Sequence, residues 1–287
     1  MLLVGVTAVW GWTFVVVKDA VSHYPVLSFL GLRFALAAAV LWVIVRLARV
    51  QPAAAPVGLG IGAVLAIGYL TQTLGLQRTT IANTGLITGL FVVFTPILDR
   101  VLFGVPTRRW TWIAVLLAFA GTGLLTGAAP GGLHPGDLLV LCGSVAFALH
   151  IALLSRYSTR SPVGLAAWQM SAAAALLLLG TIGTRASVWP MPGGVPAALV
   201  ITGVFASAVA FWVQTWAQQR LEATRAAIIL TMEPAFTVAF AFWLAGERFR
   251  ILQAVGAVLI LVALFGNEAW ERRPLGAAAP VEIPLSG

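Results

Sequence analysis

Two glutamines in matching surroundings are the first candidates for a binding site. Tyr69 and Gln72 are three residues apart, and Phe211 and Gln214 repeat this spacing 142 residues later. Residues three apart share one face of a helix, and a glutamine amide offers both donors and an acceptor. Such amides suit the amino or carboxyl group of a small ligand. Alternatively, both glutamines form hydrogen bonds between helices.

A histidine in an apolar segment, His150, is a second candidate, and it matches Thr13 at an offset of 137 residues. Because imidazole titrates near neutral pH, His150 could bind a ligand or take up a proton. Alternatively, a neutral His150 bonds to a neighbouring carbonyl group. The match makes Thr13 a binding candidate as well.

Glu233 and Pro234 stand side by side about a third of the way into another apolar segment. Proline cannot donate an amide hydrogen bond and leaves the carbonyl four residues earlier unpaired. A kinked helix beside a carboxylate could therefore act as a hinge or a proton site. Pro96 is a second hinge candidate, but Thr95 precedes it in place of an acid. This difference favours the alternative, in which Glu233 pairs structurally with an arginine or a hydroxyl group.

For Arg33 we expect a structural role. It lies two helical turns from the outer end of its segment. From there it could snorkel to the surface or form a salt bridge with Asp19 or Glu247.

Tryptophans and small polar residues complete the binding candidates. Trp12, Trp168 and Trp212 lie deep in apolar segments, where their rings could stack on an aromatic or apolar ligand or could simply pack. The polar candidates beside the glycines of a GxxxG pattern at 85–89 are Asn83, Thr84 and Thr88. Such glycines permit close contact between helices.

The segments that carry these residues are apolar enough to cross a membrane. Of the 287 residues, 60% are hydrophobic and 9% are charged, whereas a soluble domain has about 25% charged residues. A water-soluble fold and a disordered chain are therefore excluded, and a single cysteine, Cys142, excludes a disulfide framework. A membrane helix needs about 20 mostly apolar residues. We predict an all-α membrane protein with ten transmembrane helices at 2–20, 26–47, 57–77, 80–103, 110–128, 136–155, 162–183, 195–219, 224–246 and 251–270.

The arginines and lysine predict the orientation of these spans. With the N-terminus in the cytoplasm, the inner connections and tail hold eleven of them and the outer connections five. Basic residues concentrate on the cytoplasmic side of membrane proteins, so both termini are predicted to be cytoplasmic. Because the basic residues occur singly or in pairs, the net charge of +8 does not indicate a nucleic-acid partner.

The chain also repeats itself. Residues 66–78 and 208–220 share five identical residues, among them two glutamines and an arginine. We predict a first five-helix repeat at 1–128, a second at 136–271, and a disordered cytoplasmic tail at 272–287. Because five is odd, the second repeat must enter the membrane from the opposite side. Inverted repeats around a midplane site are typical of secondary transporters, which work by alternating access.

The order and spacing of four stretches resemble the drug/metabolite transporter superfamily, in its EamA-like branch. The stretches are WGWTFVVVK at 10–18, GLITGLFVVFTPIL at 85–98, GDLLVLCGSVAFALHIALLSR at 136–156 and MEPAFTVAFAFWLAGER at 232–248. The resemblance implies ten helices in two inverted five-helix repeats around a central cavity. It also implies export or exchange of small metabolites, and the tryptophan-rich chain is similar to bacterial aromatic amino acid exporters.

The expected protein is thus a carrier in the bacterial inner membrane, in contact with lipid and functional as a monomer. It would export amino acids, with a preference for aromatic or hydrophobic ones, or move other small metabolites or drugs. The other classes are an integral-membrane enzyme and a passive channel. The chain has no HExxH motif and no glycine-rich nucleotide loop, so we expect no enzymatic activity, no metal and no cofactor. A channel would need polar rings along a continuous path.

Overall fold

In a computed structural model of the chain, residues 2–51, 55–105, 109–127, 134–158, 161–248 and 250–271 are described. These residues form ten helices, three of them interrupted, and no strand. In chain order they are α1 (Leu2–His23), α2 (Val26–Leu47), α3 (Ala55–Leu76), α4 (Ile81–Phe103), α5 (Arg109–Gly127), α6 (Pro135–Tyr157), α7 (Pro162–Gly183), α8 (Val195–Gln218), α9 (Ala223–Trp243) and α10 (Ile251–Glu271).

The ten-helix prediction is confirmed, with every helix end within about three residues of its expected position. Eight helices are long and apolar enough to cross a membrane by length and composition, and α5 and α10 complete the set. Large apolar side chains such as Leu47, Leu179 and Ile182 are exposed on the outer surface, which suits a lipid environment. The tail predicted at 272–287 lies outside the described residues.

Two helices break at equivalent positions, a feature that hydropathy did not predict. α4 consists of Ile81–Thr88 and Phe91–Phe103, and α9 consists of Ala223–Leu230 and Met232–Trp243. The breaks therefore fall at Gly89 and Thr231, which are 142 residues apart. In α9, Pro234 follows the break and removes the hydrogen bond that the Leu230 carbonyl would otherwise accept.

The two interrupted helices cross in close contact. A methyl group added at Gly89 would overlap the ring of Pro234, and one added at Gly85 would overlap Thr237. The GxxxG pattern at 85–89 thus serves packing between α4 and α9 of one chain. Its glycines are required because the facing atoms belong to a proline ring and a β-branched side chain, which cannot move aside easily.

We expect Gly89→Ala to lower the free energy of unfolding by about 1–3 kcal/mol, because the added methyl group overfills this contact. The measurement is the melting temperature in detergent. Gly60→Ala is the control, since its methyl group would meet no atom within 4 Å. A normal melting temperature for Gly89→Ala would contradict the close contact between α4 and α9.

The main helix pairs of the bundle recur when its two halves are exchanged. α2 packs on α7, α4 on α9 and α5 on α10, and each of these pairs joins equivalent helices. Likewise, α1 contacts α9 just as α6 contacts α4. This arrangement leaves α5 and α10 at the periphery and surrounds a central space with the other helices.

Candidate functional site

A cavity lies among seven of the ten helices, all except α5, α7 and α10. The cavity volume is about 50 Å³, which is enough for a few water molecules. Its lining residues are Trp10, Thr13, Phe14, Val17, Arg33, Tyr69, Gln72, Thr73, Leu76, Thr88, Phe91, Phe147, His150, Ile151, Phe211, Gln214, Leu230 and Glu233.

Most of the lining comes from equivalent positions in the two halves. An offset of 137 relates lining positions on α1 to those on α6, and an offset of 142 relates α3 and α4 to α8 and α9. The seven pairs are Trp10 with Phe147, Thr13 with His150, Phe14 with Ile151, Tyr69 with Phe211, Gln72 with Gln214, Thr88 with Leu230, and Phe91 with Glu233. Both halves therefore build one site between them.

The remaining lining residues make the cavity asymmetric. Val17, Thr73 and Leu76 line it, whereas the equivalent Leu154, Thr215 and Gln218 are buried outside it. The cavity thus extends further along α1 and α3 than along α6 and α8.

Gln218 closes the opposite end by joining α8 to α6. Its Nε2 donates to the Ile151 carbonyl at 3.0 Å and to Ser155 Oγ at 2.7 Å, and its Oε1 accepts from Gln214 Nε2 at 2.9 Å. Leu76, at the equivalent position in the first half, cannot form such bonds. Gln218 was not among the expected site residues, although it lies in the repeated segment.

The two predicted glutamines both line the cavity but have different partners. Gln72 Nε2 donates to Thr88 Oγ1 at 2.9 Å and so links α3 to α4. Gln214 donates within its own helix, and its Oε1 is buried without a hydrogen-bond partner among the described residues. An unpaired buried acceptor is unfavourable, and it gives a ligand donor a place to bind.

His150 lines the cavity and is held from behind by a second side chain. Its Nε2 donates to Gln169 Oε1 at 2.8 Å, and Gln169 Nε2 reaches Thr215 Oγ1 at 3.4 Å. His150 thereby links α6, α7 and α8. The partner is the side-chain carbonyl of a glutamine on another helix.

The position near the outer surface that we expected for Arg33 was wrong. Arg33 is 2% exposed and lines the cavity, far from the snorkelling position proposed for it. Its Nε donates to Ser207 Oγ at 2.8 Å, and its guanidinium group lies 4.7 Å from the ring centroid of Tyr69. A general rule could have placed it correctly, because ionisable residues within membrane spans usually face the bundle interior.

A π-helical segment in α8, Ile201–Val209, positions two of these contacts. It presents Ser207 to Arg33, and its Ala206 carbonyl accepts a hydrogen bond from Trp10 Nε1 at 2.8 Å. Wider helical turns of this kind occur frequently at functional sites. No pattern in the sequence predicts this segment, because its hydropathy is that of an ordinary span.

Glu233 lies just after the break in α9 and lines the cavity. Within the described residues its carboxyl group has no hydrogen-bond or ion-pair partner, so the expected structural pairing is not present there. Pro96 and Pro234 lie outside the lining. Among the described residues, no group of three or more His, Cys, Asp or Glu side chains could hold a metal ion.

Five predicted binding residues lie outside the cavity. Two of them are polar and bond locally near the start of α4: Asn83 Nδ2 donates to Thr79 Oγ1 at 3.3 Å, and Thr84 Oγ1 donates to the Thr80 carbonyl at 2.8 Å. Their side chains stabilise the N-terminal turns of α4 and are buried there.

The other three are tryptophans. Trp168 packs edge-on against Trp42, with ring centroids 4.9 Å apart, where α7 meets α2. Trp12 and Trp212 are half-buried outside the lining. On α1 the lining positions 10, 13, 14 and 17 follow the i, i+3, i+4, i+7 spacing of one helix face, and position 12 falls off that face.

Aromatic rings surround the polar groups of the cavity. The Tyr69 ring makes edge contacts with Phe34, Phe147 and Phe211 at centroid distances of 5.1, 5.2 and 6.0 Å. Trp10 lies 5.3 Å from Phe211. The cavity thus combines apolar walls with a few polar groups, which is the usual composition of a small-molecule site.

A bundle of ten helices, with a polar and aromatic cavity among seven of them, is the architecture of a multi-pass membrane protein. The chain belongs to the EamA-like transporter family, whose family model matches residues 1–127 and again residues 134–267. It is therefore a small-molecule transporter.

Similar proteins support this assignment, and the similarity extends over most of their length. An "Uncharacterized transporter" of Archaeoglobus fulgidus is 33% identical over 260 residues, which cover 90% of this chain and 82% of the relative. The "Uncharacterized inner membrane transporter YedA" of Escherichia coli (strain K12) is 27% identical, with coverage of 95% and 92%. One crystal structure with 22% identity has the same fold, with a TM-score of 0.73 over 96% of this chain and 98% of that chain.

Proposed function

We propose that this transporter carries amino acids with aromatic or hydrophobic side chains across the bacterial inner membrane, in the direction of export. The observation that carries the proposal is the composition of the cavity. Aromatic rings of Tyr69, Phe147 and Phe211 form apolar walls, and the amides of Gln72 and Gln214 lie between them. Rings suit an apolar side chain, and amides suit the polar end that all amino acids share.

The proposed mechanism is alternating access between two inverted five-helix repeats, 1–128 and 136–271. The symmetric lining and the symmetric helix packing support it. Two similar halves can exchange conformations, which opens the cavity first to one side and then to the other. The breaks at Gly89 and Thr231, with Pro96 and Pro234 close by, are the proposed hinges. The protein acts as a monomer with both termini in the cytoplasm.

Counterflow in proteoliposomes tests the proposed function. Vesicles loaded with unlabelled L-phenylalanine are diluted into trace labelled L-phenylalanine, and protein-free vesicles serve as the control. We expect transient accumulation of label that saturates with concentration and is stimulated by substrate on the opposite side. Flux that rises linearly with concentration would indicate a channel. Counterflow with other metabolites but with no amino acid would overturn the proposed substrate class.

A further inference from the structure

Two buried ionisable side chains, one basic and one acidic, line the same cavity. Arg33 on α2 is 2% exposed and Glu233 on α9 is 6% exposed. In the described part of the chain neither side chain forms an ion pair, with the other or with any third residue. An isolated charge inside a membrane protein is unfavourable, so such residues mark functional sites.

The surroundings of Arg33 orient its guanidinium group but do not use all of its hydrogen-bond donors. Ser207 Oγ accepts from Nε at 2.8 Å, and the Tyr69 hydroxyl group is 3.5 Å from Nη2. Rings of Phe34 and Tyr69 lie under the guanidinium group at 5.4 and 4.7 Å. A guanidinium group has five N–H donors, so three remain for a carboxylate, which arginine binds in a two-point geometry.

Glu233 offers the complementary group. Its main-chain carbonyl accepts from Thr237 Oγ1 at 2.9 Å, whereas its carboxyl oxygens lack a partner in the described structure. In the first half the equivalent lining position is Phe91, so the site has one acid only. The acid and the base thus come from different halves of the chain.

We propose that Arg33 binds the carboxylate and Glu233 the ammonium group of one substrate, so that the transporter selects zwitterions. This inference rests on the proposed function and assigns its selectivity to two residues. An amino acid supplies a counter-charge to both side chains at once. An amine or an acid of the same shape leaves one buried charge uncompensated, which disfavours its binding.

The experiment compares three competitors that share a phenyl ring: L-phenylalanine, phenethylamine and 3-phenylpropionate. Each competes with labelled L-phenylalanine for counterflow through wild type, Arg33→Gln and Glu233→Gln. In wild type both analogues should bind about tenfold or more weakly than L-phenylalanine, as expected for the loss of a charged hydrogen bond. Arg33→Gln should weaken L-phenylalanine and 3-phenylpropionate but not phenethylamine. Glu233→Gln should weaken L-phenylalanine and phenethylamine but not 3-phenylpropionate.

This crossed pattern cannot arise from a folding defect, because each variant retains its affinity for one analogue. Arg33→Lys, which keeps the charge, should partly restore binding of 3-phenylpropionate relative to Arg33→Gln. Suppose that wild type exchanges L-phenylalanine, but both variants bind it with unchanged affinity or lose affinity for both analogues equally. The proposed role of Arg33 and Glu233 is then overturned, whereas the proposed function stands. If wild type exchanges no amino acid, both proposals fall.

Discussion

Replacing Gln72 or Gln214 by alanine should reduce the rate of transport about tenfold or more, since each amide removed deprives the ligand of a buried hydrogen bond. Gln214→Ala removes the acceptor oxygen that has no partner in the part of the chain that the structure describes. Gln72→Ala also frees the Thr88 hydroxyl group, which receives the amide hydrogen bond. Initial rates of counterflow in proteoliposomes, normalised to the amount of protein inserted, provide the measurement.

Gln77→Ala is the matched control, because Gln77 lies on the same stretch of chain but is exposed outside the cavity, where its Nε2 donates to the Val21 carbonyl. Its transport rate should stay within about twofold of wild type, as for most surface substitutions. Size-exclusion profiles and melting temperatures verify that all three variants are folded. Unchanged flux in both Gln72→Ala and Gln214→Ala would remove the glutamines from the site.

The spans could be predicted because a membrane imposes one simple requirement, about 20 apolar residues in a row. The irregularities inside the spans could not. Hydropathy does not distinguish an α-helix from a π-helix, so the π-helical form of the segment Ile201–Val209 could not be predicted. The break at Thr231 follows from hydrogen-bond geometry near Pro234, three residues further along the chain. The residue three positions after the equivalent break at Gly89 is Val92, so the sequence offers no such cause there.

The site could be predicted where the two halves share polar residues. It could not be predicted where the rotation of a helix about its axis decides whether a side chain faces the cavity. Depth in the membrane is readable from position along a span, but the direction of a side chain is not. Trp12 and Thr13 have almost the same depth, yet only Thr13 reaches the cavity. Trp10 lies three residues before Thr13 and hence on the same helix face, and this spacing would have identified it. Ser207 as a partner of Arg33 lies 174 residues away in sequence, and only the folded bundle brings them together.

The second large effect concerns Gln218, the residue that closes one end of the cavity. In the proposed cycle the two halves exchange conformations, so Gln218 would come to line the cavity as Leu76 does now. Its hydrogen bonds to Ile151 and Ser155 would then be lost. Gln218→Leu removes these bonds from the present conformation. It also gives both halves a leucine at the equivalent position. We expect a shift toward the alternative conformation of about 1–3 kcal/mol, the net value of two hydrogen bonds.

The shift can be measured as access to Leu154→Cys in a background in which the native Cys142 is replaced by serine, because Leu154 is the buried equivalent of the lining residue Val17. A membrane-impermeant maleimide added to the cytoplasmic side should label Cys142→Ser/Leu154→Cys/Gln218→Leu about tenfold faster than Cys142→Ser/Leu154→Cys/Gln218→Asn, which retains an amide. Leu76→Gln is the mirror experiment, because it offers the first half the amide that closes the second. It should stabilise the conformation in which the first half is closed and the Gln218 end is open, and should therefore also speed the labelling. Equal labelling rates for the leucine and asparagine variants would show that closure of this end does not depend on Gln218, and the asymmetry of the cavity would then need another cause.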